Sequence, residues 1–417
     1  MTGRRAAGRA LIGRRLIGVL LVGATTLAAT ACSGSGGGTT TKGEALVVVS
    51  APITAQPWIG RFVERGARLA AAQLNASGGA DGRKVIVSVL DNGGSPQRAV
   101  ANARTAVARH ALALIIDGVG AVATADVTDP ASLPVFIVFE GGASLVDATA
   151  RPTLFRMAPA NKPMATRLSD YLSEKAKVAA LLSDDSTFGR EGAAQTRLAF
   201  ARNEIRLASD ATVPEGASDV AAQVLAARRS GAAALVVWAR ATGLAAVVRA
   251  ARASGWNVPI YSGPTGEDPL VRQRLADHPE WLDGLTFVSF RITSETGPAP
   301  FAAYRKAYEK SFGVDTVGVS AGGKPVVMPP DWSTYSYDSV KLVSVALKNS
   351  GGKLGAPLMD AMQKTVVTGA NGDERGFGID DREGVSPDDM YFGRFKDMRF
   401  TPVTDDILST NLPSVAQ

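Results

Sequence analysis

Short apolar runs alternate with helical patterns along most of the chain. The first part contains four apolar runs of strand length: Leu46–Ser50, Val85–Leu90, Ala111–Ile116 and Val135–Phe139. Between them lie helical patterns at Arg61–Leu74 and from Ser95 to about His110, where Ser95 is a favourable N-cap and Pro96 a favourable first-turn residue. Strands this apolar are typical of parallel sheets covered on both faces. The pattern predicts a doubly wound α/β lobe.

The same alternation starts again in the middle of the chain and predicts a second α/β lobe. The expected strands are Val178–Leu182, Leu235–Trp238 and Val258–Tyr261, and the expected helices are Glu191–Asn203, Asp219–Ser230 and Gly243–Ser254. Two further helices are predicted at Phe301–Phe312 and Tyr337–Asn349. The segment from Gly313 to Pro330 is rich in Gly, Val and Pro, and we expect it to be a loop.

The N-terminus has the pattern of an export signal. All the charged residues among the first 31 are arginines: Arg4, Arg5, Arg9, Arg14 and Arg15. The uncharged run Leu16–Ala31 is shorter than the ~20 apolar residues that a membrane-spanning helix needs, so residues 1–31 are interpreted as a signal peptide.

The segment that follows this signal predicts a lipid anchor. Small residues precede Cys32, as in a bacterial lipobox, and we predict that this cysteine carries the lipid. Residues 32–43 are then a lipidated, Gly- and Ser-rich flexible tether. The alternative is plain cleavage next to an incidental cysteine.

Composition excludes several classes of function. Without the five N-terminal arginines the chain has 40 basic and 39 acidic residues and no basic run, which argues against nucleic-acid binding. One cysteine cannot form an internal disulfide or a cysteine metal site, and only two histidines, His110 and His278, argue against a His-rich metal centre or a histidine-dependent triad. The chain also lacks the G-x-S-x-G, P-loop and H-E-x-x-H motifs. We therefore expect no enzyme activity, no metal and no cofactor.

Several ordered segments resemble one family. They are Ala51-Pro52-Ile53-Thr54, Leu74–Gly79 with Gly82-Arg83-Lys84, Asp91 through Ala99, Asp185–Gly189 and Tyr337-Asp338-Ser339. Taken together they are similar to the type I periplasmic binding proteins, in particular the leucine/isoleucine/valine-binding proteins of branched-chain amino acid ABC transporters. The resemblance covers most of residues 44–400.

This resemblance implies two Rossmann-like lobes joined by a three-strand hinge. Lobe one would comprise 44–155 and 290–380, and lobe two 156–289 and 381–410. The implied function is that of an extracytoplasmic solute-binding lipoprotein that closes on a small ligand and serves an ABC permease and its ATPase subunits. The protein would be a monomer on the outer face of the cell membrane or in the periplasm. A ligand-sensing receptor with the same clamp and no role in transport is the alternative.

Parallel open sheets bind ligands beyond the carboxyl ends of their strands. Two expected strand-to-helix turns lie there, one with Ala123 and Thr124 and the other with Gly142, Ala143 and Ser144. The resemblance implies that such turns hold a ligand carboxylate with backbone N–H groups and hydroxyls. Ordinary helix capping is the alternative reading of Thr124 and Ser144.

Three aromatic residues are expected to face the cleft between the lobes: Trp58, Phe188 and Trp238. For Trp238, a place in the core is an equally good interpretation.

One position departs from the resembled family. Thr265 stands where amino-acid binders have an acidic partner for the ligand ammonium, and a hydroxyl cannot offset the several kcal/mol cost of a buried unpaired charge. Glu267 or Glu140 could serve instead, and Arg240 could meet an acidic group. We expect an amino-acid-like ligand that bears a carboxylate or an amide, rather than a standard α-amino acid.

Overall fold

Two parallel β-sheets with helices on both faces organise the part of the chain that the computed structural model describes. The described residues are 43–290, 299–314, 316–328, 330–386, 390–396 and 399–403. The chain from Thr41 onward clusters as one compact unit. The predicted α/β class is confirmed.

The first sheet has the strand order β2-β1-β3-β4-β5, with all neighbours parallel. Its strands are β1 Glu44–Ala51, β2 Lys84–Asp91, β3 Ala113–Ile116, β4 Val135–Ile137 and β5 Leu154–Arg156. The helices between them are α1 Pro57–Ala76, α2 Pro96–Ala108 and α3 Ala121–Thr128.

The second sheet includes five parallel strands followed by an antiparallel edge. In chain order its elements are α4 Asn161–Ser173, β6 Val178–Asp184, α5 Thr187–Arg202, β7 Arg206–Val213, α6 Ala221–Arg229, β8 Ala234–Trp238, α7 Ala241–Ala253, β9 Ile260–Ser262, α8 Pro269–Arg274 and β10 Leu285–Phe290. The strand order is β16-β15-β10-β9-β8-β6-β7, where β15 is Met390–Lys396 and β16 is Arg399–Pro402.

The strands are continuously apolar because both of their faces are buried. In β1, Val47 and Val49 belong to one core cluster, while Val48 belongs to the cluster on the opposite face. In β8, Val237 faces one core and Trp238 the other. This alternation is what a sheet covered by helices on both sides requires.

The chain between β10 and β15 packs mainly against the first sheet. Its elements are α9 Ala299–Phe312, β11 Thr316–Ala321, β12 Lys324–Val327, α10 Thr334–Asn349, α11 Ala356–Met362, β13 Val366–Thr368 and β14 Glu374–Gly376. Phe301, Tyr308 and Leu347 share a buried cluster with Phe62 of α1. The chain therefore passes between the sheets after β5, after β10 and before β15.

The prediction of a loop from Gly313 to Pro330 is wrong, because β11 and β12 form an antiparallel hairpin there. Gly322 and Gly323 both have positive φ, 56° and 75°, which only glycine adopts readily in a two-residue hairpin turn. Val326 and Met328 are buried and hold the hairpin to the core.

Gly66 lets α1 and α10 approach closely. A Cβ at this position would overlap the Ser333 carbonyl oxygen and the Ser336 hydroxyl of the opposite segment. The close approach brings Tyr335 and Tyr337 of α10 into the same core as Phe62.

We predict that Gly66→Ala lowers the free energy of unfolding by about 1–3 kcal/mol, because the added methyl forces these helices apart. Urea unfolding measures the change. The matched control is Gly243→Ala in α7, where the nearest atom to a new Cβ is a methyl at 3.1 Å. The control should be neutral or stabilising by up to about 1 kcal/mol. Equal effects of the two substitutions would contradict the close-packing explanation.

Candidate functional site

Glu140 and the loop from Gly142 to Ser144 follow the carboxyl end of β4. The prediction of a strand-to-helix turn at Gly142–Ser144 is wrong, because the chain between β4 and β5 forms only turns and no helix. Asp147 accepts two backbone N–H groups of the following turn, and Arg151 donates to the carbonyls of Ser144 and Leu145. These bonds stabilise a turn instead of a helix, and they do not use the Ala143 N–H.

One carboxylate from the second sheet accepts hydrogen bonds from this loop. Glu191 of α5 accepts a hydrogen bond from the backbone N–H of Ala143 at 2.6 Å and one from the Ser144 hydroxyl at 3.0 Å. A Cβ at Gly142 would lie 2.7 Å from the same carboxylate. Glycine at 142 leaves room for this approach, and the two donors form an anion-binding pair.

Trp238 supports the helix that carries Glu191. Its side chain is fully buried, and its indole N–H donates to Thr196 of α5 at 2.7 Å. A Cβ at Gly192 would overlap the indole ring, so α5 lies directly on it. Phe188, also buried, packs 5.3 Å from the indole centroid. The structure thus favours the core interpretation of Trp238, with a positioning role toward Glu191.

Arg240 pairs with Glu140 across the two sheets. Its guanidinium lies 3.3 Å from Glu140 Oε2 and 5.2 Å from the ring centre of Phe188. Its backbone N–H donates to Asp184 at the end of β6, at 2.6 Å. The second Glu140 oxygen, Oε1, is buried and has no hydrogen-bond partner within the described ranges.

Asp117 lies at the end of β3, close enough to Glu140 for the two charges to repel. Burial is the main cause that raises the pKa of Asp117 to about 6, with a smaller contribution from Glu140. The Asn92 amide opposes the shift by donating to Asp117 Oδ1 at 2.8 Å. Sequence reasoning did not select Asp117, although its place directly after a buried strand is a usable signal.

The predicted residues on α3 differ in their surroundings. Ala123 is exposed, whereas Thr124 is fully buried. The Thr124 hydroxyl finds no hydrogen-bond partner in the part of the chain that is described. Gly120 provides the N-cap in a left-handed conformation, so Thr124 is not the cap of this helix.

An aromatic cluster lies beside this edge. Trp58 in the first turn of α1 makes edge contacts with Phe139 at 5.4 Å and with Trp332 at 6.1 Å, measured between ring centres. Phe139 and Trp332 stack at 4.5 Å. Trp58 is only 4% exposed, so the cluster forms a rigid apolar wall.

Buried acids lie next to this wall. Glu267 belongs to the 3₁₀ turn Pro264–Glu267, which also holds the half-buried Thr265. Burial, and then repulsion from Asp331, raise the pKa of Glu267 well above its usual value, while Trp332 and Arg272 lower it. Burial likewise raises the pKa of Asp331. Among the described residues, Glu267 Oε1 and Asp331 Oδ1 have no hydrogen-bond partner.

Other candidate sites are few among the residues that the structure describes. No group of three His, Cys, Asp or Glu side chains that could hold a metal ion occurs among the described residues. No helix within those residues is long and apolar enough to span a bilayer. His110 is exposed, His278 is half-buried and stacks on Trp281, and Cys32 lies outside the described residues.

A family model described as a periplasmic binding protein matches residues 54–399 of the chain. No curated protein matches it in sequence. Among solved structures, a periplasmic binding protein type 1 from Bordetella pertussis Tohama I is similar, with a TM-score of 0.75 and 20% identity over 86% of this chain and 100% of that chain.

Several of the similar structures contain ligands, and two of them differ clearly in ligand type. The branched-chain amino acid transporter substrate-binding protein of Streptococcus pneumoniae, in complex with isoleucine, has a TM-score of 0.72 and 21% identity, covering 86% of this chain and 97% of that one. An ABC-transporter solute-binding protein of Rhodopseudomonas palustris BisB5, in complex with 3,4-dihydroxybenzoic acid, has a TM-score of 0.69 and 17% identity, covering 86% and 96%. Similarity at these identities establishes a shared fold.

We predict that Asp117→Asn stabilises the protein at neutral pH. Because the folded-state pKa of about 6 lies above the usual 3.8, the folded state binds the proton more tightly, and stability falls as pH rises between these values. The variant should gain about 1–3 kcal/mol at about pH 7.5 and almost nothing at about pH 3.5, as measured by urea unfolding.

The control for this prediction is Asp147→Asn, because backbone hydrogen bonds lower the pKa of Asp147. That variant should lose stability at neutral pH. A gain for Asp117→Asn that is the same at both pH values would rule out the titration of this group as its cause.

Proposed function

The chain belongs to the periplasmic binding protein family, and we propose that it captures a small solute between its two sheets and delivers it to an ABC permease with its ATPase subunits. The observation that carries the proposal is the meeting of polar side chains from both sheets. Glu140 and the Ala143–Ser144 loop of the first sheet contact Arg240 and Glu191 of the second. Ligands of open parallel sheets bind at this edge.

The two sheets would act as lobes that move about a hinge. We propose lobe one as 44–155 with 290–380 and lobe two as 156–289 with 381–410. Two of the connecting segments are hydrogen-bonded to each other, since Arg156 N–H donates to the Arg382 carbonyl and Gly384 N–H to the Arg156 carbonyl. Short strands of this kind can absorb the rotation that opens the cleft.

The proposed ligand is an amino-acid-like solute that bears a carboxylate or an amide. It would contact some of the predicted residues: Trp58, Ala123, Thr124, Glu140, Gly142, Ala143, Ser144, Phe188, Trp238, Arg240, Thr265 and Glu267. The buried, partnerless oxygens of Glu140 and Glu267 and the Thr124 hydroxyl support this choice, because buried polar atoms normally have hydrogen-bond partners. The ligands named for the two solved structures, isoleucine and 3,4-dihydroxybenzoic acid, belong to those proteins.

Transport is favoured over sensing, although both use the same clamp. Two of the similar structures are named as transporter substrate-binding proteins. A receptor lipoprotein that reports the ligand without transport is the second candidate. No catalytic role is proposed, because the similar structures are named as substrate-binding or solute-binding proteins.

The family acts outside the cytoplasm, and we propose that Cys32 anchors this member to the outer face of the cell membrane as a monomer. The support is the arginine-rich and then apolar N-terminus that ends in small residues before the chain's single cysteine.

Native mass spectrometry tests the binding function. We predict that the protein purified from its own membranes carries a single small solute, which is lost on unfolding and rebinds on refolding. The double variant Glu140→Ala, Arg240→Ala, which removes charged groups from both sides of the cleft, should weaken rebinding by about tenfold or more. A chain that neither carries nor rebinds any solute would contradict the proposal.

For the anchor, we predict that Cys32→Ser abolishes incorporation of labelled palmitate and releases the protein from the membrane pellet. Metabolic labelling and fractionation measure both effects. Ser33→Ala, next to the proposed attachment site, is the control and should remain labelled. Labelling that persists in Cys32→Ser would exclude this cysteine as the attachment site.

A further inference from the structure

Two donors that could hold a ligand carboxylate are already used by a carboxylate of the protein. Each oxygen of Glu191 has its own donor: Oε2 takes the Ala143 N–H and Oε1 the Ser144 hydroxyl. A second carboxylate at this position would have neither donor and would face a like charge. We call this arrangement the Glu191 clasp.

The clasp is built into the packing of α5. Gly192, the next residue, lies on the buried Trp238 indole, which is itself hydrogen-bonded to Thr196 one turn further along the helix. Gly142 leaves room for the carboxylate on the opposite side. Displacing Glu191 therefore requires a new side-chain rotamer or a movement of the two sheets relative to each other.

Three buried carboxylates lie at the cleft or beside the aromatic wall next to it. Glu140 Oε1, Glu267 Oε1 and Asp331 Oδ1 are all buried, and the described residues supply none of them with a hydrogen bond. A buried carboxylate oxygen needs a donor. An amine or an amide can supply N–H groups to these oxygens.

We propose that Glu191 takes the place of a ligand carboxylate and that the cognate solute is an amide or an amine without a carboxylate. This inference rests on the proposed solute-binding function and changes its ligand class, because it removes carboxylates and adds amines. In the same cleft, N–H groups of the solute would meet the free oxygens of Glu140, Glu267 and Asp331. Glu191 would exclude a ligand carboxylate in two ways: it occupies the Ala143 and Ser144 donors, and its negative charge repels another anion.

Calorimetry with three matched probes tests the ligand class on the full-length protein in detergent. Isovaleramide, isoamylamine and isovalerate share one branched alkyl group and differ in the polar end. We expect the wild type to bind the amide or the amine at least about tenfold more tightly than isovalerate. In Glu191→Ala, the affinity for isovalerate should rise about tenfold or more, and adding Ser144→Ala should remove that gain.

The control is Glu174→Ala, which deletes one acidic charge from an exposed position at the end of α4. It should leave all three affinities unchanged. Isovalerate binding that is as tight as amide binding in the wild type, or an unchanged isovalerate affinity in Glu191→Ala, overturns the inference. The proposed function is tested separately, by whether a small solute co-purifies with the protein. The chemical class of that solute then tests this inference: an amide or an amine agrees with it, and a carboxylate overturns it.

Amide hydrogen exchange tests the clasp without any ligand. The Ala143 N–H should exchange at least about tenfold faster in Glu191→Ala than in the wild type, while a core amide such as that of Ile115 stays unchanged. Equal exchange at Ala143 in the two proteins overturns the clasp. Equal acceleration at both amides would show general destabilisation and would overturn it as well.

Discussion

Charged side chains of two parallel sheets meet where the carboxyl ends of their strands face each other, and most other features of the molecule depend on this meeting. Removing charged side chains from water is costly in free energy unless each charge has a partner. Arg240 provides one for Glu140, and the Ala143 and Ser144 donors provide one for Glu191. Asp117, Glu267 and Asp331 are less well compensated, and burial raises the pKa of each. Incompletely compensated acids cost stability, so this edge is better explained as a binding site than as a plain protein surface.

The hydrophobic cores behind this edge hold its polar side chains in fixed positions. Trp238 fills the space under α5 and fixes the register of Glu191, while Trp58, Phe139 and Trp332 form a rigid wall next to the buried acids. Neither group of aromatic residues is exposed enough to be a simple stacking surface for a ligand. Their contribution is to orient the polar groups around the cleft, which is how a binding site obtains selectivity from a few hydrogen bonds.

The elements that sequence patterns predict well are those buried on both faces, such as β1, β3 and β8, because an uninterrupted apolar run admits few alternatives. The elements missed carry mixed patterns: β7 is an edge strand that mixes small, polar and charged residues with few large apolar ones, and the β11–β12 hairpin is marked mainly by Gly322-Gly323. For the site, sequence reasoning selected Gly142–Ser144, Glu140 and Arg240, but it assigned Glu140 and Arg240 separately as ligand contacts and not as a pair. Glu191 and Asp331 were not, because each reaches the site from an element distant in sequence, and only tertiary packing brings them there.

The central claim is that the two sheets form a clamp that closes on a solute. The measurement that tests it most directly is the distance between spin labels at Arg104 of α2 and Leu225 of α6, both exposed, in a chain whose only native cysteine has been replaced. The protein is stripped of co-purified solute by unfolding and refolding, and the recovered solute is added back. We predict that the ligand-free protein populates longer separations that disappear when the solute returns. A single unchanged distance with and without the bound solute would contradict the clamp.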